Sequence, residues 1–344
     1  MQKTAYFLIS AIGIVMILIY GQSLLVPFVM GLLFWYMMRG IKKYLQKIPF
    51  VKKNFPSWLQ TTLATLTVVI VIMVMFNIIS ANIRSLSQSY ADYEANVESV
   101  LDLLNEKYGL DILESVKGQT QNIDFGEILS SILSSLSDLI GNTFMILLYA
   151  IFILLEEAQF GKKIRAVFSE EDQYNRFNEI LGEIESSISQ YFRLKTLVSL
   201  LTGVLSYVAL LFIGIDSPAF WAFLIFLLNY IPTIGSLVAT GFPAIFALLQ
   251  FGEALPAILV LGIVGFIQIL VGNYIEPRLM GSSMNISPLV TIIALTLWGM
   301  IWGVIGMILS VPITVVMILV FSHFESTRPV AIMLSENGRI GNKK

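Results

Sequence analysis

Four charged side chains, Asp216, Glu253, Glu276 and Arg278, are all that residues 199–321 contain. Two of them flank a proline in the stretch Asn273-Tyr274-Ile275-Glu276-Pro277-Arg278. A carboxylate in so apolar a setting takes up a proton or a cation, or it neutralises a nearby base. A charge at mid-bilayer costs about 2.5–3.5 kcal/mol on insertion scales, so one that is kept there is paired or lines water. Glu276 is therefore the candidate for proton or cation coupling. Asp216 is a poorer second, because it shares the short turns with Glu253 and reads there as a solvated loop residue. Glu276 and Arg278 have two readings. They form the mouth of a pathway, or they anchor at the inner water boundary as a structural pair.

The same stretch nearly repeats one that lies 44 residues earlier. Asn229-Tyr230-Ile231-Pro232-Thr233-Ile234-Gly235-Ser236 is answered by Asn273, Tyr274, Pro277, Gly281 and Ser282. Proline donates no backbone hydrogen bond and breaks a helix. In hydrocarbon the freed carbonyls cost several kcal/mol unless they face protein or a water-filled cavity. Asn229 and Asn273 supply amides, and the Gly-Ser pairs allow tight turns and close helix approach. Broken helices with exposed backbone and amides make a site for a small polar solute. The alternative is a pair of kinks satisfied by neighbouring helices.

Catalytic chemistry has little to work with. The single histidine, His323, ends the last apolar run and reads as interfacial packing. There is no phosphate-binding Gly-x-x-x-x-Gly-Lys-Ser/Thr loop, no Gly-x-Ser-x-Gly and no His-Glu-x-x-His. Cysteines are absent, which excludes disulfides, thiolate metal sites and thiol nucleophiles. The reading is a non-enzyme with no catalytic residue, no metal and no cofactor. Nothing resembles a basic stripe with interleaved aromatics, so nucleic acid is not an expected partner. The expected partners are a small-molecule solute and membrane lipid.

The elements that must hold these residues are membrane spans. The 344 residues are 56% hydrophobic and 13% charged, about half the charge of soluble domains, and the mean hydropathy is +0.81. Apolar runs fall near 5–20, 23–40, 59–81, 138–155, 194–214, 218–251, 255–275 and 288–321. The expected fold class is an all-α integral membrane protein with about eight membrane segments. The first run follows Lys3 but lacks a small-residue cleavage site, so it reads as a retained span. Residues 39–53 hold six basic residues and no acid, whereas 82–138 hold three against ten acids. By the positive-inside rule the first is cytoplasmic and the second lies outside, with both termini inside. The 218–251 and 288–321 runs are too long for one span, yet each half is short for a crossing. Both read as hairpins of broken helices. Parity brings them in from opposite sides, the pattern of transporters built on inverted repeats.

Two polar stretches carry helical stripes. Ile79, Ile83, Leu86, Tyr90, Tyr93, Val97, Val100 and Leu104 keep a heptad seam that Leu129, Ile132, Leu136 and Leu139 continue. That predicts an extracytoplasmic helical hairpin. Phe177, Ile180, Ile184, Ile188 and Tyr191 predict an amphipathic helix at the inner interface. Either stripe packs within one protomer or forms a seam between subunits. The expected plan is a scaffold at 1–81, the outer hairpin at 82–137, a span with its amphipathic helix at 138–193, a transport half at 194–324 and a tail at 325–344.

The stretches NYIPTIGS (229–236), NYIEPRLMGSSMNISPLV (273–290) and LTLWGMIWGVIGMILSVP (295–312) resemble the autoinducer-2 exporter family of bacterial membrane proteins. The resemblance covers essentially the whole chain. It implies an inner-membrane transporter that is a homo-oligomer, with a pentamer as one candidate assembly. It implies export of a furanone-type signal used in quorum sensing, or exchange of sodium or lithium for protons. The fold of such a family is shared more securely than its solute. By match to its pattern, Pro232, Gly235, Ser236, Asn273, Glu276, Pro277, Gly281, Ser287 and Pro288 carry over as family positions, and we assign them to the substrate pathway. The leading expectation is a secondary transporter exporting a small polar organic solute. The alternatives are a sodium(lithium)/proton antiporter and a membrane scaffold that transports nothing.

Overall fold

The computed structural model describes residues 2–88, 96, 125–280 and 285–338. All their regular structure is helical. The elements are α1 (Gln2–Tyr20), α2 (Gln22–Leu45), α3 (Pro49–Asn54), α4 (Ser57–Gln88), α5 (Phe125–Val167), α6 (Glu171–Ile213), α7 (Pro218–Leu228), α8 (Ile234–Phe251), α9 (Ala254–Leu270), a π-helical turn (Val271–Ile275), α10 (Glu276–Met280), α11 (Pro288–Ser322) and α12 (Arg328–Leu334). This is an all-α integral membrane protein. Among the described residues six helical segments are long and apolar enough to cross a bilayer, and a seventh qualifies if a pair bent by 67° within α5 counts as one span. The 11-residue α7 is too short to cross alone. Most of the expected seam of the outer hairpin, from Tyr90 to Leu104, lies outside the described residues.

The chain divides into two compact units. The first comprises Met1–Val71, Leu139–Phe192 and Ser282–Lys344; the second comprises Ile72–Asp138 and Arg193–Gly281. In the first, α11 folds back on itself. Trp302 and Gly303 leave helical geometry, Gly303 with φ +61°. A β-carbon on Gly306 would lie 1.9 Å from the Trp298 carbonyl oxygen, and one on Gly299 would lie 3.0 Å from the Met307 side chain. Residues eight apart in a straight helix are about 12 Å apart along its axis, so these contacts require a hairpin. The sequence-based reading of 288–321 as a hairpin and its break at Gly-Met-Ile-Trp-Gly-Val-Ile-Gly therefore agree with the geometry. Ala294, Trp298, Trp302 and Leu309 form its core, packed by Leu18 of α1 and by Leu25, Val29 and Leu33 of α2. The Trp302 indole N–H donates to the Leu18 carbonyl at 3.0 Å, which ties the hairpin tip to α1.

The second unit is built on a second hairpin, α7–α8, packed with α9 and the C-terminal half of α6. Pro218 starts α7, where its missing N–H is harmless. Gly252 ends α8 in the left-handed conformation at φ +65°. Leu210, Trp221, Ile225, Ala239, Phe246, Val260 and Val264 form the core. The opposite faces carry exposed Ile258, Leu261, Phe266 and Phe212, as expected of helices whose solvent is lipid.

One element departs from the sequence reading. The amphipathic stretch at 177–191 and the span after it are one uninterrupted 43-residue helix, α6. No proline falls between Glu171 and Ile213 to break it. Its stripe residues Phe177, Ile180, Ile184 and Ile188 are half-buried. Tyr191 is buried, and Phe177 meets the Phe168 ring at 5.2 Å.

Candidate functional site

The site is built on α6. Lys195, Ser199, Thr202 and Ser206 follow each other at spacings of four, three and four, so they share one helix face. All four are buried, the last three completely. A row of hydroxyls ending on an ammonium group inside an apolar unit is costly unless each member is satisfied.

The hairpin tip supplies partners. Asn229 ends α7 and is buried, and its amide N–H donates to the Ser199 hydroxyl at 3.1 Å. The Tyr230 hydroxyl and the Thr196 hydroxyl lie 2.7 Å apart. Beyond Tyr230 the chain reverses sharply. The Ile234 N–H donates to the Pro232 carbonyl at 2.6 Å, spanning a single residue. That residue, Thr233, sits at φ +59°, ψ −59°. This is a γ-turn of positive φ, a rare and strained arrangement for a β-branched residue. Ser236 closes the turn by donating to the Thr233 carbonyl at 2.8 Å. Gly235 permits the approach, since a β-carbon there would lie 1.9 Å from the Leu228 carbonyl oxygen.

Glu276 lies on α10 directly after the π-helical turn. The turn takes its form from Pro277. A proline there clashes with the carbonyl four residues back, that of Asn273. Widening the turn relieves the clash, and the Glu276 N–H reaches the Val271 carbonyl, five residues back, instead of the usual four. Such π-turns are frequent at functional positions. The Glu276 carboxylate meets the Lys195 ammonium at 2.5 Å, with the two side chains 20% and 7% exposed. A buried pair of this kind contributes little net stability, because desolvation offsets the Coulomb attraction, yet removing one partner costs about 3–5 kcal/mol.

Other candidates fall elsewhere. Arg278 is exposed and makes no ion pair among the described residues, so the pairing of Glu276 with Arg278 is corrected. The base is Lys195, which sequence reading grouped with the charged 156–195 stretch. Its signal was available in the Lys195, Ser199, Thr202, Ser206 periodicity. Asn273 and Tyr274 are exposed, and the structure does not join Asn273 to Asn229. Gly281 and Ser282 lie outside the described residues. Ser287 and Pro288 belong to the first unit, where Ser287 donates its N–H to Leu334 and Pro288 opens α11. Asp216 is exposed in the α6–α7 turn, and its backbone N–H donates to the Gln250 amide oxygen at 2.7 Å. His323 lies 3.7 Å from Glu183.

Three buried donors in the second unit were not anticipated. Ser206 Oγ, Trp221 Nε1 and Gln268 Nε2 have no hydrogen-bond partner among the described residues. Gln268 shares the buried face of α9 with Val260 and Val264. A buried donor without a partner costs about 1–3 kcal/mol. These groups are chemically matched to oxygen acceptors.

A polytopic helical membrane protein with broken-helix hairpins and a buried polar row has the features of a membrane carrier. The sequence profile of the AI-2E family transporter matches residues 8–326, and the chain belongs to that family. It is 27% identical over 342 residues to the AI-2 transport protein TqsA of Escherichia coli K12, covering 96% of this chain and 95% of that one. It is 29% identical over 323 residues to a Haemophilus influenzae protein named "Putative transport protein", covering 92% and 91%.

Proposed function

We propose that the chain is a secondary transporter exporting a small, polar, uncharged organic solute. The observation that carries this reading is the buried row Lys195, Ser199, Thr202 and Ser206 on α6, partnered by Asn229 at a strained hairpin tip and ended by Glu276. Hydroxyl and amide groups suit a solute rich in hydroxyl and carbonyl oxygens. The name of the Escherichia coli relative supports an autoinducer-2-like molecule as the first solute to try. The charge of the 39–53 loop supports an inner-membrane orientation with both termini cytoplasmic, and parity supports hairpins entering from opposite sides. A homo-oligomer is the proposed assembly.

One observation favours a second reading. Glu276 is a carboxylate in an apolar span whose ion-pair partner is the single Lys195 ammonium, a charge that a sodium or lithium ion would replace. Flux in proteoliposomes decides between the two. A furanone-type polyol and sodium are followed separately, with and without a pH gradient. Solute flux without obligatory sodium movement supports export. Sodium–proton exchange without solute flux supports the second reading. Flux of neither returns the protein to the scaffold alternative.

A further inference from the structure

The first unit carries a polar feature of its own. Arg39, Lys42, Lys43 and Gln46 on the last turns of α2, with Thr61 on α4 and Glu157 on α5, line a pocket of about 140 Å³. That is the liquid volume of roughly four or five waters. It is well below the 300–1,000 Å³ of a site for a drug-sized ligand, and it suits one compact anionic group.

The walls are organised. Glu157 accepts from the Trp35 indole at 2.8 Å and pairs with Arg39 at 3.2 Å. Arg39 also meets Glu185 at 2.6 Å and stacks 5.5 Å from the Trp35 ring centre. Two carboxylates thus neutralise and fix the guanidinium. Among the described residues Lys42 has only the Ser57 hydroxyl, at 3.1 Å. Lys43 is 64% exposed and reaches Glu185 at a loose 3.6 Å. Lysine ammonium groups remain to receive an anion.

The surroundings say which anion. The pocket lies where α2 ends and α4 begins, at the ends of two candidate spans. Beside it Tyr44, Ile48, Phe50 and Trp58 are exposed. Aromatic and lysine side chains mixed in this way mark the headgroup layer of a bilayer. Just inside, Met37, Phe152 and Leu155 present exposed apolar surface to acyl chains. Basic pockets between spanning helices at this depth recognise lipid phosphates. We infer that this pocket binds the phosphodiester of an anionic glycerophospholipid through Lys42, Lys43 and Gln46, with the acyl chains lying along α2 and α5.

Thermal unfolding and native mass spectrometry of the full chain in a neutral detergent test this. Phosphatidylglycerol should raise the unfolding temperature and remain bound through mild activation. Phosphatidylcholine and soluble glycerol 3-phosphate at equal concentration should do neither. The Lys42→Gln/Lys43→Gln variant should lose at least tenfold in lipid retention, whereas Lys52→Gln/Lys53→Gln, which removes equal charge nearby, should retain it. If the first variant does not fold, Gln46→Glu keeps every lysine and places a carboxylate in the pocket, and it should give the same loss. Equal losses in Lys42→Gln/Lys43→Gln and Lys52→Gln/Lys53→Gln would show a diffuse charge effect and overturn the site. Binding of glycerol 3-phosphate as strong as that of the lipid would make it a free-phosphate site instead.

Discussion

Lys195 and Glu276 show what one buried pair does in a medium that cannot solvate it. Glu276→Gln and Lys195→Met each strand a charge, and each should cost about 3–5 kcal/mol of stability. Lys195→Met/Glu276→Leu removes both charges and should recover most of that stability, measured by thermal unfolding in detergent, while flux stays lost. Recovery of flux in the double variant would show that the pair is structural only. Asn229→Leu deletes the donor to Ser199 and should reduce solute flux about 5- to 150-fold, the equivalent of 1–3 kcal/mol. Gln268→Leu separates the two roles a buried polar group can have. It removes a donor that has no partner among the described residues, so stability should hold or rise while flux falls. Glu276 was legible in the sequence because it stands alone in an apolar run. Lys195 was harder to read, because it closes a charged stretch and only its spacing to Ser199, Thr202 and Ser206 marks it as inward-facing.

Hairpin tips decide the behaviour of the elements. Gly235 and Gly306 occupy matching places, each with a carbonyl oxygen 1.9 Å from where a β-carbon would stand. Gly235→Ala and Gly306→Ala should therefore each force the tip apart and cost about 1–3 kcal/mol. Gly241→Ala and Gly262→Ala have open space within 4 Å. At those helical positions alanine should be neutral or gain up to about 1 kcal/mol. Expression and unfolding temperature of the four variants check this, and equal losses across all four would contradict the tip geometry. The structural counterpart of the 229–235 tip is thus 298–306, not the Asn-Tyr-Ile of 273–275. Both hairpins were legible from run length and from the interrupting Pro and Gly residues. The apparent doubling of Asn-Tyr-Ile was misleading because Pro232 reverses the chain whereas Pro277 only widens a turn. A proline states that a helix is disturbed, and its neighbours decide how.

At the scale of the whole molecule, composition was the most informative reading, since a chain so poor in charge is stable only in lipid. The continuity of α6 was hidden, because a charged amphipathic stretch and an apolar span look like two elements when hydropathy alone draws the boundary. Sidedness remains directly measurable, and the absence of native cysteines makes the experiment clean. Lys47→Cys should stay unlabelled by an impermeant maleimide in intact cells, whereas Glu253→Cys, in the exposed α8–α9 turn, should label. The reverse pattern would invert the molecule and with it the proposed direction of export.

The closeness of Lys195 to Glu276 has an electrical consequence. At 2.5 Å the two charges cancel, so the closed pair has no net coupling to a membrane potential. An uncompensated charge crossing 100 mV changes the free energy by about 2.3 kcal/mol, enough to alter a rate almost fiftyfold. Asp216, Glu253 and Arg278 are exposed, so a carrier that moves this neutral pair and an uncharged solute through the membrane field should work at the same rate whatever the voltage. Potassium diffusion potentials imposed on proteoliposomes with valinomycin should leave solute flux flat. A flux that follows the potential means that a charge other than this pair travels with the solute.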